Sequence, residues 1–345
     1  MTAQYWGKGD LLSLKKVITL MYRITLIVGT LFMIVTLIFP GEIMSIYTHN
    51  HELIDKGKQY FSYMAFTYLF LGLSLTTTIV LRSFGVTSIP LFSTVFSLIV
   101  NVFLNWVFIF GNLGAPRMEI AGAALATLIA RIVEFMFICG YLFFFDKRIR
   151  YHIKDITKEC KSIINEYFTY SVPVIISDML LAFGNNAVAV IMGRIGSNFV
   201  SANAIISVTV QFTTVANLGL ANASSIITGN TLGKGEVDKA YRQGVTFFAL
   251  SAILGCIASV IIIIITPYII GLYNITDETV RIAKELMMAV AINVIFASIA
   301  SVMTKGVLRG GGDTRFLMIA DILFLWIASV PLGILTGLGF RLSPF

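Results

Sequence analysis

Charge is what this sequence has least of. Only 12% of its 345 residues are Asp, Glu, Lys or Arg, against roughly 25% in a soluble domain. With 57% apolar residues and a mean hydropathy of +0.88, too little polar surface remains to coat a soluble globule of this length. Lipid is its natural solvent. Cysteine and histidine are also scarce, at three each. Cys139, Cys160 and Cys256 lack metal-ligand spacing and read as unpaired thiols. His49, His51 and His152 fall in polar loops and read as solvated. No paired acids, His cluster or Ser/His set gathers at one end of an apolar run, which argues against a membrane enzyme. The glycine pairs Gly7/Gly9 and Gly233/Gly235 have no Walker spacing after them, so nucleotide binding is excluded. Met1–Asp10 is polar and is no signal peptide.

What is present is a series of long apolar runs, such as Ile253–Ile265. In hydrocarbon every backbone polar group needs a partner within the chain, so spans are helices or closed barrels. A barrel would alternate apolar and polar residues over short segments; these runs do not. About 20 apolar residues cross the hydrocarbon core. Nine spans are predicted, near 17–39, 59–81, 89–111, 120–145, 168–191, 202–226, 245–266, 285–307 and 316–337. The sixth, rich in Ser, Thr, Asn and Gly, is the least apolar, with an interfacial helix as its alternative.

The net charge of +7 has a sided distribution. Alternate gaps between spans hold Lys8, Lys15, Lys16, Arg23, Arg82, the cluster from Lys147 to Lys161, Lys234, Lys239, Arg242, Lys305, Arg309 and Arg315. The other gaps hold only Lys56, Lys58, Arg117, Arg194, Arg281, Lys284 and Arg341. The positive-inside rule makes the richer side cytoplasmic, Met1 included. The basic balance is thereby explained without nucleic acid as a partner.

The chain also repeats itself. Tyr5-Trp6-Gly7-Lys8-Gly9-Asp10 matches Thr231-Leu232-Gly233-Lys234-Gly235-Glu236 at an offset of 226. Leu81-Arg82-Ser83-Phe84-Gly85 matches Leu308-Arg309-Gly310-Gly311-Gly312 at 227, as Pro40 matches Pro267. A unit of six spans puts both copies in one orientation, a parallel repeat about an axis along the membrane normal. Aligning the copies predicts two spans ahead of Met1 and one past Phe345. The expected fold is an all-α polytopic membrane protein of two parallel six-helix repeats, with about nine of twelve transmembrane helices present. The expected lobes are 1–145 and 167–345, joined by a cytoplasmic loop at 146–166.

Several stretches resemble the multidrug and toxic compound extrusion (MATE) family. They are Gln4–Asp10, Leu308-Arg309-Gly310-Gly311-Gly312-Asp313-Thr314, Ala121-Gly122-Ala123-Ala124-Leu125-Ala126-Thr127, and Asn101-Val102-Phe103-Leu104-Asn105 running into Ile109-Phe110-Gly111. The resemblance runs from the end of the family's second helix to its eleventh. It implies two facing lobes, alternating access, and export of organic, often cationic, compounds in exchange for protons or sodium ions. It implies a monomer in the plasma membrane, with lipid and a small organic substrate as partners and no cofactor beyond the coupling ion. Two alternatives stand beside it. One is a related flippase for lipid-linked precursors, disfavoured because Arg131 is the only basic residue placed mid-span. The other is a truncated remnant that inserts poorly and transports nothing.

Ionisable groups at membrane depth are expensive and mark function, so the candidates are few. Asp178 lies within the fifth span, five residues after Pro173, with no basic residue nearby on its helix. It is a candidate proton or cation site or, alternatively, a carboxylate bonded to a neighbouring helix; the resemblance adds that some relatives carry an acid near here. Asn185, seven residues on, shares its face and extends a polar path. Asn101 and Asn105, at i and i+4, point one way and offer two amide oxygens to a cation, or bond between helices. In some branches of the family a related Asn/acid pair serves the first lobe; here the second member is Asn105, so this helix supplies no charge. Arg131 and Glu134, at i and i+3, are expected to pair, structurally or as a gate. Asp321 is expected to form an interfacial salt bridge, with Arg315 and Arg309 close by, or alternatively to serve as a proton site. No metal site is expected.

Overall fold

The computed structural model describes residues 1–46, 48–195, 197–271 and 276–335, without the side chains of 188–201, 212, 213 and 277. In chain order the helices are α1 (Thr2–Lys8), α2 (Leu11–Ile38), α3 (Pro40–Ser45), α4 (His51–Ser83), α5 (Ser88–Phe110), α6 (Glu119–Gly140), α7 (Lys161–Ile195), α8 (Ser197–Gly233), α9 (Val237–Gly271), α10 (Asp277–Ser301), α11 (Arg309–Gly311), α12 (Thr314–Asp321) and α13 (Val330–Ile334). Wider π-type turns at Val302–Leu308 and Ile322–Ser329 join the last four helices into two long rods, Glu278–Gly311 and Thr314–Ile334. Among the described residues there is no strand. Among the described residues eight helices are long and apolar enough to cross a membrane, and nine if α8 is one bent span. All nine predicted spans fall on these helices, save residues 336 and 337 of the last, which lie outside the described residues. The least apolar, 202–226, is the bent one, with a 43° break between Gln211 and Thr214. Large side chains such as Ile27, Phe92, Leu98 and Ile264 are exposed, the outward face expected where the solvent is hydrocarbon.

The repeat reappears in backbone geometry. α1 ends at Gly9, at φ 75°, whose N–H donates to the Trp6 carbonyl; α8 ends at Gly235, at φ 79°, donating to the Leu232 carbonyl. α4 ends before Gly85, at φ 81°, and α11 before Gly312, at φ 93°. These left-handed caps satisfy carbonyls that a helix end leaves over, and only glycine adopts them without strain. The proline markers diverge. The chain leaves the helix at Phe39 and restarts at Pro40, whereas Pro267 sits inside α9. Proline disfavours the helical region for the residue before it. At Thr266 a hydroxyl bond to the Ile262 carbonyl (2.6 Å) counters that bias; Phe39 has no such group.

The chain forms two compact units. One is Asp10–Ile164; the other is Asn165–Phe345 together with Ala3–Gly9. In the first, α2 packs on α4, α4 on α6, and α6 on α5. Leu14, Ile18, Tyr22, Leu81, Ile138 and Leu142 are fully buried between them. In the second, α8, α9 and α10 pack around Ile206, Ala258, Ile262, Met287 and Ala291.

The segment from Asp146 to Cys160, expected as a plain loop, is a strap docked on α2. Arg23 donates to the carbonyls of Ile156 (2.8 Å) and Lys158 (2.7 Å) and to the Cys160 sulfur (3.3 Å). Thr19 bonds the buried Tyr151 hydroxyl (2.9 Å) and donates to the Asp155 carbonyl (3.0 Å). Asp155 caps a short 3₁₀ turn, Ile153–Thr157, accepting from the His152 N–H (2.9 Å) and pairing with Lys158 (2.5 Å). Burial pushes its carboxyl upward, but the His152 N–H and Lys158 outweigh this and hold it below the usual carboxylate range.

A carboxylate depressed by folding stabilises above its unfolded value of about 3.9, and that contribution is lost as pH falls through the depressed value. Hydrogen-exchange protection at 151–158, taken relative to the intrinsic rate at each pH, should therefore be flat through neutral pH and should fall only in strong acid. Asp155→Asn should abolish this acid limb. Arg23→Gln, losing charge-assisted bonds worth about 2 kcal/mol in total, should raise exchange there at all pH values.

Candidate functional site

In the first unit a polar seam runs between α5 and α6. Ser93, Ser97, Asn101 and Asn105 recur every four residues along one face of α5. Ser93 donates to the Glu134 carbonyl (3.2 Å) and Ser97 to the Ala130 carbonyl (2.9 Å). The Asn101 amide donates to the Thr127 hydroxyl (3.4 Å), and the Asn105 amide donates to Asn101 Oδ1 (3.0 Å). The two asparagines do meet, and part of their hydrogen-bonding capacity is spent on each other and on α6. Asn105 Oδ1 is left over, buried and without a hydrogen-bond partner. A buried carbonyl oxygen with no donor is costly and is the kind of ligand a hard cation takes. Among the described residues no acid is bonded to it. The seam ends at the Arg131–Glu134 ion pair, 2.5 Å long, with Glu134 buried and Arg131 37% exposed. Thr94 donates to the other Glu134 oxygen at 3.4 Å.

In the second unit Asp178 is not alone. Arg309 Nη2 lies 2.6 Å from its Oδ1, with Arg309 at 24% exposure and Asp178 at 50%. This corrects the expected pairing. Arg309 serves α7, while Asp321 accepts a short bond from Ser177, the buried neighbour of Asp178. The cause is packing. The Gly310 backbone lies against Ser225 of α8 so closely that a side chain there would overlap it. Held in this tight turn, Arg309 reaches α7. Asp178 therefore lies within an arginine's length of the turn, and Arg309 is no free loop charge. Trp326 Nε1 donates to the Leu180 carbonyl (3.1 Å), a second tie between this part of α7 and the last rod. Asn185 is exposed, and no hydrogen bond joins it to Asp178 among the described residues; Asn186 bonds its own helix at Ala182 (3.0 Å).

Some of these contacts had a signal in the sequence and others had none. The period-four stripe Ser93/Ser97/Asn101/Asn105 announces a polar helix face. Nothing announces Ser177 to Asp321, or Asn217, whose amide donates to Ser298 (2.7 Å) on α10 and whose Oδ1 is a second buried oxygen without a partner.

Long helices with apolar outer faces, an internal repeat with matched caps, and polar groups paired between spans define a multi-pass membrane protein of the transporter class. The chain belongs to the MatE family, whose model matches residues 1–107 and 173–335; members of this family are transporters, not enzymes. The chain is 24% identical over 339 residues to "Probable multidrug resistance protein YoeA" of Bacillus subtilis, covering 96% of this chain and 72% of that protein. It is 28% identical over 271 residues to "Multidrug resistance protein NorM" of Aliivibrio fischeri, covering 77% of this chain and 56% of that relative. Among solved structures, MATE in the bent conformation matches with a TM-score of 0.87 at 17% identity, over 99% of this chain and 75% of that one. An outward-facing multidrug-resistance MATE transporter matches at 0.85 and 19% identity, over 99% and 76%. These structures bear out the all-helical fold.

Glu134→Gln should leave Arg131 unpaired and lower stability by roughly 2 kcal/mol, below the cost of breaking a fully buried pair because Arg131 is partly exposed. Thermal unfolding in detergent would show it, with Arg131→Gln/Glu134→Gln recovering part of the loss.

Proposed function

We propose that this protein is a secondary active transporter that exports small organic, often cationic, compounds in exchange for protons or sodium ions by alternating access. The observation that carries the reading is Asp178, an acid at span depth, half exposed and held by one arginine. An ionisable group in a span marks an ion or substrate path. Asp178 is the group that takes the coupling ion. A proton neutralises the carboxylate and releases Arg309; a sodium ion takes the guanidinium's place at Oδ1. Either event loosens α7 from the Gly310–Gly312 turn, which links ion binding to helix position. Asn101 and Asn105 supply oxygens on the substrate or ion path of the other unit, and Asn185 extends the path from Asp178. The relatives named as multidrug resistance proteins support an organic substrate. The protein acts as a monomer in the plasma membrane, with the Met1 end and the basic gaps in the cytoplasm.

Purified protein in liposomes should move ethidium when a proton or sodium gradient is imposed. Asp178→Asn should reduce that movement at least tenfold. Arg309→Gln should retain transport but shift its dependence on coupling-ion concentration, because the ion no longer displaces a resident cation. Absence of gradient-dependent movement would overturn the reading.

A further inference from the structure

The strap on α2 sorts its charges by sign. Its two aspartates are turned inward. Asp146 is buried and accepts from the Ile149 N–H (3.0 Å); Asp155 is buried and accepts from the His152 N–H (2.9 Å). The bases Lys147, Arg148, Arg150, Lys154, Lys158 and Lys161 are all exposed. Lys158 and Lys161 pair with Asp155 and Glu159. Arg148 donates to the Phe84 carbonyl (3.1 Å) and keeps its charge. Lys147, Arg150 and Lys154 have no acid partner among the described residues. Arg150 stands at φ 51°, a left-handed conformation that costs any residue with a side chain. Its neighbours Ile149 and Tyr151 are buried, and Lys15 Nζ donates to its carbonyl (3.0 Å). Such strain persists only where the surroundings fix it; here they hold an arginine outward between two buried anchors.

Both ends of the strap run into spans, at Phe145 and at Lys161, so it lies at the bilayer surface. Phe144 and Phe145, in the last turn of one span, are 76% and 72% exposed, and Ile153 on the strap is 57% exposed. We infer that the strap is a built binding surface for the anionic phospholipid headgroups of the bilayer around it. The positive-inside bias asks only for charge on one side, and a slack loop would meet it. This segment is instead pinned by Arg23 and Thr19, with acids inward, bases outward and apolar side chains at its edge. A polybasic cluster beside a span attracts an anionic leaflet, over about a Debye length. Lipid phosphates pair with Lys147, Arg150 and Lys154, while Phe144, Phe145 and Ile153 enter the interface. A zwitterionic headgroup binds less well, because its own cation offsets the phosphate. Bound lipid braces the strap and, through Arg23 and Thr19, α2. The inference does not depend on what the protein transports or on its coupling ion.

The test uses the full chain in phosphatidylcholine vesicles carrying a trace of spin-labelled phosphatidylglycerol or spin-labelled phosphatidylcholine. The fraction of label immobilised by the protein gives the relative affinity of the two lipids. Phosphatidylglycerol should be preferred at least roughly threefold in low salt, and the preference should collapse in 1 M salt, where the Debye length is about 3 Å. Lys147→Gln/Arg150→Gln/Lys154→Gln should lose at least half of it, and Lys147→Arg/Lys154→Arg should keep it. Hydrogen exchange locates the effect: amides at 146–158 should gain protection in nanodiscs containing phosphatidylglycerol over pure phosphatidylcholine, and those at 234–242, an equally basic gap, should not. Equal affinity for the two lipids, a triple variant with the full preference, or strap exchange indifferent to phosphatidylglycerol would each overturn the proposal. If the triple variant does not fold, the salt dependence and the exchange of the unaltered protein decide it.

Discussion

Inside hydrocarbon, a polar group with no partner has no water to fall back on. Most features of this chain follow from that constraint. The backbone is spent in long helices. Helix ends at Gly9, Gly85, Gly235 and Gly312 fold their own carbonyls back through left-handed caps. Hydroxyls inside spans, such as Thr77 on Leu73 and Thr266 on Ile262, bond their own preceding turn. The ionisable groups at depth are paired: Arg131 with Glu134, Arg309 with Asp178, and Asp321 with Ser177. Against this background several buried side-chain oxygens lack a hydrogen-bond partner, those of Ser74, Asn105 and Asn217 among them.

The same constraint explains why glycine recurs where helices meet. Between helices in lipid, packing contact replaces the hydrophobic effect as the driving force, and small residues let backbones approach. Gly7 and Gly233 make such an approach between α1 and α8; Gly306 and Gly310 make it between α8 and the rod that carries Arg309. α8, whose polar composition made it the least convincing span, is the helix these glycines pack against. Its Ser, Asn and Gly content is the price of close packing on three neighbours.

The strap at 146–160 is the counterpart outside the spans. Basic composition marked it as a loop on the positive side. Arg23, one turn past Thr19 on the same helix, instead gathers two carbonyls and a sulfur from it. A guanidinium satisfies several acceptors at once in a fixed fork, so a single arginine adds polar anchorage to a segment that also buries Ile149, Tyr151 and Cys160. The connection between the two units is anchored on one of them nearly up to the start of α7.

Composition and spacing were enough for the helical membrane class, the span positions and the repeat, because each depends on local hydropathy or on spacing along the chain; the family came from a resemblance of motifs, which the family model bears out. The i, i+3 pair Arg131–Glu134 was legible for the same reason. What only the tertiary structure decided were the partners of residues far apart in sequence. Asp178 and Arg309 are separated by 131 positions, Ser177 and Asp321 by 144, and Gln4 and Gly310 by 306. Nothing in a one-dimensional pattern chooses among several charges near one interface. That choice was made by how closely the glycine turn at 310–312 could seat against α8, which is a matter of backbone contact rather than of charge.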